Sequence, residues 1–518
     1  MQNETSKKKI IIIGAGISGL ASGIYGQKND FDTEIYEKNP VPGGLCVSWN
    51  RKGYWIDGCI HWMTGTKEGT QLNEMWHDVD AFDQEDIIHP DNFGTIECDG
   101  VPIALWTNIN KLEEELIAIS PEDEKQIRKF GDLIVSIQNL PLPLDLPISN
   151  MGFGKLMKVG FRIIPYLPDL IYASITSPEK YAKKFKSPII RKAICNIIKG
   201  DSNLHNKLYA YGTVCVGNGG VPKNGSDYMT RRIVNKYKSL GGKIHLNKTV
   251  KEVVIENKKA IGVLLENGDF VKADYVIASC DTHETLEHLL KSHYFDNGLF
   301  KRYKKPHIYP APSCVYASYT VDAEAMKSLN ITETYEFDTE EFLVGNTMQT
   351  CIKIRDYSYD QKFIKNGKTV INVLVHQTDY DYRHWEFLYK NKEEYNKEKE
   401  ALANTIAKKI CEKFPSLESS IECIDVATPA TFNRYTNAYH GAYMPFACTP
   451  KGQMLMHNGK IKGLKNFYVS GQWTQMPGGL PIALSSGKFA IQRILKKEHL
   501  FYKLTHDIYV KYSKKATK

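Results

Sequence analysis

Lys9-Ile10-Ile11-Ile12-Ile13-Gly14-Ala15-Gly16-Ile17-Ser18-Gly19-Leu20-Ala21 is the stretch that decides the fold. Four consecutive isoleucines predict a short strand buried on both faces, the pattern of a parallel sheet. Glycine ends it at once. In G-x-G-x-x-G the first glycine permits a tight turn, and the second lets backbone N–H groups approach a pyrophosphate. The third lets a helix lie close to the strand. Leu20, Ala21, Ile24 and Tyr25 then recur at helical spacing. A phosphate would lie at that helix's N-terminus, where orphan N–H groups and the dipole favour anions. A second strand is predicted over Thr33-Glu34-Ile35-Tyr36-Glu37. Glu37 stands about 20 residues on, where such folds bond ribose hydroxyls. A glycine-rich turn alone says little, but strand, turn, helix, strand and acid in this order describe a dinucleotide site.

A plain NAD-binding unit would return to another strand and helix. Here Lys38-Asn39-Pro40-Val41-Pro42-Gly43-Gly44-Leu45 runs directly into Trp49-Asn50-Arg51-Lys52-Gly53-Tyr54-Trp55-Ile56-Asp57-Gly58. This resembles the superfamily with a Rossmann-like FAD-binding domain. More closely it resembles the phytoene desaturase, carotenoid isomerase and retinol saturase family, whose members carry E-K-x-x-x-x-G-G and then G-Y-x-[FI]-D-x-G. Leu45 stands where amine oxidases place arginine, which argues against that branch. The resemblance implies an α/β fold with an inserted α+β substrate domain. It also implies FAD contacts from Gly14, Ala15, Gly16, Ile17, Ser18, Gly19, Glu37, Lys38, Gly43, Gly44, Leu45 and His61.

With 518 residues, two joined domains are expected rather than one core. The formal charge of +8 is concentrated at the ends, in Lys7-Lys8-Lys9 and a tail holding Lys514, Lys515 and Lys518. Such ends are usually solvated, and no nucleic-acid partner is read from them. Eleven cysteines without a C-x-x-C pair suggest neither a disulfide framework nor a metal site. No signal peptide and no membrane-spanning run is evident, so a cytoplasmic protein is expected.

The expected organisation is a first FAD segment over 1–66 and a mostly helical insertion over 67–204. A second FAD segment follows over 205–285, a substrate domain of sheet and helices over 286–424, and a third FAD segment over 425–518. In the first insertion, prolines at 141, 143, 147, 165 and 168 break the helices. Leu156, Met157, Val159, Phe161, Ile163, Ile164, Leu167, Leu170 and Ile171 form an apolar cluster edged by Lys155, Lys158 and Arg162. Its commoner reading is a buried helix pair. The alternative is a surface that enters one lipid leaflet or lines a lipid tunnel, a peripheral membrane contact.

In the second FAD segment, Ser226 is expected to cap a helix with inner face Met229, Ile233, Tyr237 and Leu240, ended by Gly241-Gly242. Strands are predicted over 243–250, 253–255, 260–265, 270–272 and 275–279. In the resembling family the strand bearing Val250 places backbone groups against adenine. In the substrate domain, Leu402, Ile406, Ile410 and Phe414 mark a helix stopped by Pro415. Tyr380, Tyr382 and Trp385 are either cavity wall or plain core.

The C-terminal landmark joins Thr431-Phe432-Asn433-Arg434-Tyr435-Thr436 and His440-Gly441 to a strand ending at Gly471-Gln472 and the loop Pro477-Gly478-Gly479-Leu480-Pro481-Ile482. It is similar to the family's flavin signature, which implies contacts from Gly471, Gln472, Gly479, Leu480, Pro481 and Ile482. Gln472 departs from the aspartate usual in desaturases. Helix N–H groups there would stabilise negative charge on a reduced ring.

The resemblance implies redox or isomerisation chemistry on carbon–carbon bonds of a long isoprenoid or polyene lipid. His61, Arg434 and His440 are candidate acid–base groups, each with a structural hydrogen bond as the plainer role. Two alternatives stand: a flavin oxidase of a soluble porphyrinogen or amine, and a flavin-free prenyl-binding protein such as the Rab GDP-dissociation inhibitors. The intact glycine loops argue against the second.

Overall fold

The computed structural model describes residues 7–140, 143–197, 202–331, 333–503 and 509–511. The proline at 141 and the lysine-rich tail lie outside them. The isoleucine run forms β1 (Lys9–Ile13), with Ile10, Ile11 and Ile12 wholly buried. Gly14 turns the chain at φ +98° into α1 (Ile17–Lys28), and β2 (Asp32–Tyr36) follows. β3 (Ser48–Arg51) and β4 (Tyr54–Asp57) make a hairpin.

The first insertion supplies several helices, and also a hairpin of β5 (Asn92–Cys98) and β6 (Val101–Trp106). Farther on it carries α2 (Phe153–Ile163) and α3 (Leu167–Ser174). The chain returns through α4 (Gly225–Ser239) and β7 (Lys243–His245). β8 (Val250–Glu256), β9 (Lys259–Leu265) and β10 (Phe270–Lys272) form a small antiparallel sheet, and β11 (Tyr275–Ala278) follows. The second insertion is β12 (Ser313–Asp322), β13 (Thr334–Val344), β14 (Thr347–Asp356), β15 (Lys368–Gln377), α5 (Asp379–Tyr389), α6 (Lys392–Lys413) and β16 (Glu422–Ala427). α7 (Pro429–Thr436), β17 (Phe467–Val469) and α8 (Gly479–Glu498) complete the chain.

The central sheet is parallel, in the order β7-β2-β1-β11-β17. Three distant segments of sequence therefore build one layer. Ile10 and Ile12 pack with Ile24, Met229, Ile233, Tyr237 and Ile491 from α1, α4 and α8. Ile11 and Ile13 pack on the opposite side with Val253, Val263 and Val276. Alternation along one strand thus supplies two cores.

The second sheet has seven strands in the order β16-β12-β15-β14-β13-β5-β6. β5 runs parallel to β13, with Tyr335 opposite Thr95. The first insertion therefore contributes two strands to the sheet of the second, which the helical reading of 67–204 did not anticipate. β5 is buried at six of seven positions, so it shows no polar alternation. Its turn signal, Asp99-Gly100, is present.

Three local expectations differ from the structure. Asn224, at φ +64°, and not Ser226, precedes the α4 helix. The Ser226 amide and hydroxyl donate to Asp57 Oδ2 and Oδ1, each at 2.6 Å, so a carboxylate from β4 serves the helix start. The strand expected over 243–250 breaks at a left-handed Asn247 into β7 and β8. The apolar cluster at 156–171 is not buried: α2 has no buried residue, and Phe153 and Phe161 are 79% and 64% exposed. The buried-pair reading is overturned because no other described element covers this face.

Candidate functional site

β2 and β7 lie on one side of β1, and β11 and β17 on the other, so the strand order reverses between β1 and β11. Ligands of open α/β sheets bind in the crevice beyond the carboxyl ends at such a reversal. The strand exits are tied side by side there. The Gly14 amide donates to Tyr36 O at 2.8 Å, Ser279 to Ile13 O at 2.9 Å and Ser470 to Ala278 O at 2.9 Å.

Two glycine contacts shape the crevice. A Cβ on Gly19 would fall 2.0 Å from Gly14 O, so only glycine lets α1 start this close to the strand exit. A Cβ on Gly44 would lie 3.3 Å from Gly16 Cα, and the Gly43 amide donates to Ala15 O at 2.9 Å. The two glycine loops face each other with bare backbone. Ala15, Ile17 and Ser18 are buried beneath them, and Leu45 is half-buried.

Glu37 is buried at the end of β2. Its Oε2 accepts from Ala15 N at 2.8 Å, and its Oε1 from Asn39 N and Nδ2 at 2.9 and 2.8 Å. A carboxylate has about four acceptor sites, so capacity for ribose hydroxyls remains. The turn before Val250 runs along Glu37: Glu37 N donates to His245 O at 2.9 Å and Lys248 N to Glu37 O at 2.8 Å. Val250 opens β8 with its side chain buried. The Lys38 ammonium donates to Arg434 O and Asn437 Oδ1, which ties the first segment to the third.

α1 and α8 run side by side in the same direction. Ser18 Oγ lies 3.4 Å from Ser486 Oγ, and Ser22 Oγ donates to Gly487 O at 3.4 Å. Both positive helix ends therefore point at the crevice, where they favour negative charge. Gly471 N donates to Ser486 Oγ at 2.8 Å. The Gln472 amide is a brace: its Oε1 accepts from Gly479 N at 3.2 Å and its Nε2 donates to Tyr443 O at 3.1 Å. Of the first turn, Pro481 has no N–H, and the Leu480 amide precedes the first acceptor of the helix. These donors, the glycine loops and Glu37 form a donor set and a bare cradle that fit an extended dinucleotide.

His61 lies under the seven-stranded sheet, beside Tyr316 of β12. Its ring is stacked on Tyr316 at 6.5 Å and 14°. Burial holds its imidazole well below the ordinary histidine range, and the nearby Arg355, Lys353 and His376 add to the effect. Tyr316 Oη donates to Asp57 O at 2.8 Å and accepts from Asn372 Nδ2 at 2.9 Å. Tyr443 Oη and His376 Nδ1 are 3.1 Å apart. A path of contacts thus runs from the sheet through His376, Tyr443 and Gln472 to the start of α8.

The other two candidates do not join this group. His440, at φ +49°, places Nδ1 3.0 Å from Asp379 Oδ1, and its ring stacks on Tyr382 and Tyr439. Arg434 is exposed and donates to Tyr389 Oη at 2.9 Å. Both side chains hold α5 against the C-terminal segment. Tyr316, Arg355, Asn372, His376 and Tyr443 were missed by sequence reading. A signal existed in β15, where Asn372 and His376 interrupt an otherwise apolar run one residue out of phase with the packed positions.

A crevice of this shape, with two helix ends and a buried carboxylate after β2, fits an FAD-dependent oxidoreductase. The model of the flavin-containing amine oxidoreductases matches residues 199–495, and that of an NAD(P)-binding Rossmann-like domain residues 12–79. The chain belongs to the flavin-containing amine oxidoreductase family. It is 25% identical over 484 residues to the chloroplastic prolycopene isomerase of Daucus carota, covering 86% of this chain and 73% of that protein. It is 23% identical over 513 residues to the lycopene-forming phytoene desaturase of a Paracoccus species, covering 94% and 97%. An oxidoreductase from Methanosarcina mazei shares the fold, with a TM-score of 0.58 at 15% identity over 94% of this chain and all of the other. No helix among the described residues is long and apolar enough to cross a membrane.

Proposed function

We propose that this flavoenzyme acts on carbon–carbon bonds of a long apolar polyene or isoprenoid lipid, by desaturation, saturation or double-bond isomerisation. When bound, the flavin supplies hydride transfer at N5. Glu37 receives the ribose hydroxyls, and the turn Gly14, Ala15, Gly16, Ile17, Ser18 and Gly19 receives the pyrophosphate. Lys38 positions the loop beyond Glu37, and Val250 lies by the adenine. Gly43, Gly44 and Leu45 hold one side of the flavin; Gly471, Gln472, Gly479, Leu480, Pro481 and Ile482 hold the other. Uncharged His61 offers one donor and one acceptor beside Tyr316. Arg434 and His440 have a positioning role through α5.

The observation that carries this reading is the Gln472–Tyr443–His376 path, which joins the proposed flavin end to the sheet face lined by Ile56, Tyr316 and Leu374. Near-full-length similarity to a phytoene desaturase supports the choice of lipid. The exposed α2–α3 surface is the further support: its apolar residues would enter a lipid leaflet, with Lys158 and Arg162 at the headgroups. The test is incubation of the yellow purified protein with liposomes holding prolycopene or phytoene. Flotation with the vesicles and a changed polyene absorption spectrum are expected. A flavoprotein that stays off the vesicles, leaves both polyenes unchanged and oxidises an amine overturns the reading.

A further inference from the structure

Arg355 stands one residue from the end of β14 and is only 5% exposed. In the antiparallel ladder it lies opposite Asn372 of β15 and Thr334 of β13. Asn372 Nδ2 donates to Tyr316 Oη and, at 3.3 Å, to Asp57 O. Directly opposed residues of antiparallel strands share a face, so Arg355 also stands on the face turned toward the dinucleotide-binding segments.

Two of its groups, Nε and Nη2, have no hydrogen-bond partner. Their N–H bonds leave the same edge of the guanidinium side by side, the fork that matches the two oxygens of one carboxylate. Glu333 Oε2 is 3.8 Å from Nη2, beyond hydrogen-bond length. Burial pushes the Glu333 carboxyl above its ordinary range, which weakens it as a counter-ion. The Tyr357 ring lies 5.5 Å from the guanidinium carbon, and the Tyr359 hydroxyl is a hydrogen-bonding neighbour of the same guanidinium, leaving the Nε/Nη2 edge as the unmatched one. A guanidinium keeps its proton in proteins, so this edge is a permanent buried charge with two unmatched donors. A hydrocarbon against it would leave both donors unmatched.

Resting on the polyene reading above, we propose that the substrate is an apolar polyene or isoprenoid acid, its carboxylate seated on the Nε/Nη2 edge of Arg355. The chain then runs along the sheet past His61 and Leu374 toward His376 and Tyr443. From Asn372 to His376 is four residues of strand, about 13 Å. The reacting bond therefore lies on the order of 13 Å from the carboxylate carbon.

The test uses the FAD-loaded protein with cis-parinaric acid, a fluorescent polyene acid, and with its methyl ester. The acid is expected to bind about tenfold more tightly than the ester. Arg355→Gln should abolish that preference while leaving ester affinity and the flavin spectrum unchanged. Arg355→Lys, which keeps the charge and loses the fork, should abolish most of it, and it decides the matter if Arg355→Gln does not fold. Glu333→Gln should leave the preference intact. Equal binding of acid and ester by the wild type, survival of the preference in Arg355→Gln, or its loss in Glu333→Gln overturns the proposal. Binding of ester and polyene hydrocarbons without preference for the acid sinks the end-group assignment alone. Binding of none of them sinks the polyene reading with it.

Discussion

On β15, Ile371, Val373 and Val375 pack with Trp385, Leu402, Ile406 and Ile410 of α5 and α6. One residue out of step, Val370, Asn372, Leu374 and His376 face the dinucleotide-binding segments, beside Tyr316 and Ile56. The same strands, with the same backbone bonds, present a dry helix-covered face and a face mixing tyrosine, asparagine, arginine and histidine. The first face is constrained by volume and polarity alone. The second carries groups whose hydrogen bonds are specific and, at Arg355, incomplete. Stability resides on one side of the sheet and recognition on the other.

The sharpest way to break this contrast is to change neighbouring residues. Val373→Asp puts a carboxylate without a partner into the covered core and should cost more than about 4 kcal/mol. Asn372→Val removes hydrogen bonds to Tyr316 and Asp57 and should cost about 1–2 kcal/mol. Denaturant titration of both variants reads the difference, and equal losses would mean that the faces do not differ in kind.

A second comparison stays on the covered side. Trp385 is fully buried, with its indole N–H on Gln377 Oε1 at 2.8 Å, while Tyr380 on the same helix is 65% exposed. Trp385→Ala should cost about 3–5 kcal/mol. Tyr380→Ser should stay within about 0.5 kcal/mol in thermal melts. A large loss at Tyr380 would extend the core beyond the sheet.

The smallest effect comes from titration. His61 has a folded pKa depressed below the unfolded value near 6.5. The unfolded chain therefore binds the proton first. The stability this group contributes is present above about pH 6.5 and is lost as pH falls below it, by at most about 1.4 kcal/mol per pH unit. His61→Gln should flatten that part of the acid limb, read as melting temperature between about pH 6.5 and 5. An unchanged slope would show that this face does not desolvate the ring.

The dinucleotide half was the more legible part of the sequence, because backbone geometry forces residue type there. Gly19 has no room for a Cβ, Gly44 stands at φ +62° close to Gly16, and Glu37 follows β2 directly. The Arg355 face was illegible for the opposite reason. A lone arginine in Thr347–Asp356 has no spacing signature, and its meaning comes from Asn372 and Thr334, brought beside it only by strand register. The α2 cluster misled because apolar periodicity reports a face and not what covers it. Helical text around Asp99-Gly100 likewise hid the β5–β6 hairpin.

The seam between α1 and α8 has a consequence for how the molecule is made. Ser18 meets Ser486 across 468 positions of chain. A Cβ on Gly487 would lie 2.5 Å from Ser18 O, so the late helix closes directly onto the early one. At ribosomal rates of about 5–20 residues per second, the nascent N-terminal strand and turn wait roughly 25 to 90 seconds for that partner. Until then Leu20, Ile24 and their neighbours have nothing to cover one flank. The cofactor crevice, begun by the earliest residues, is among the last parts of the protein able to exist.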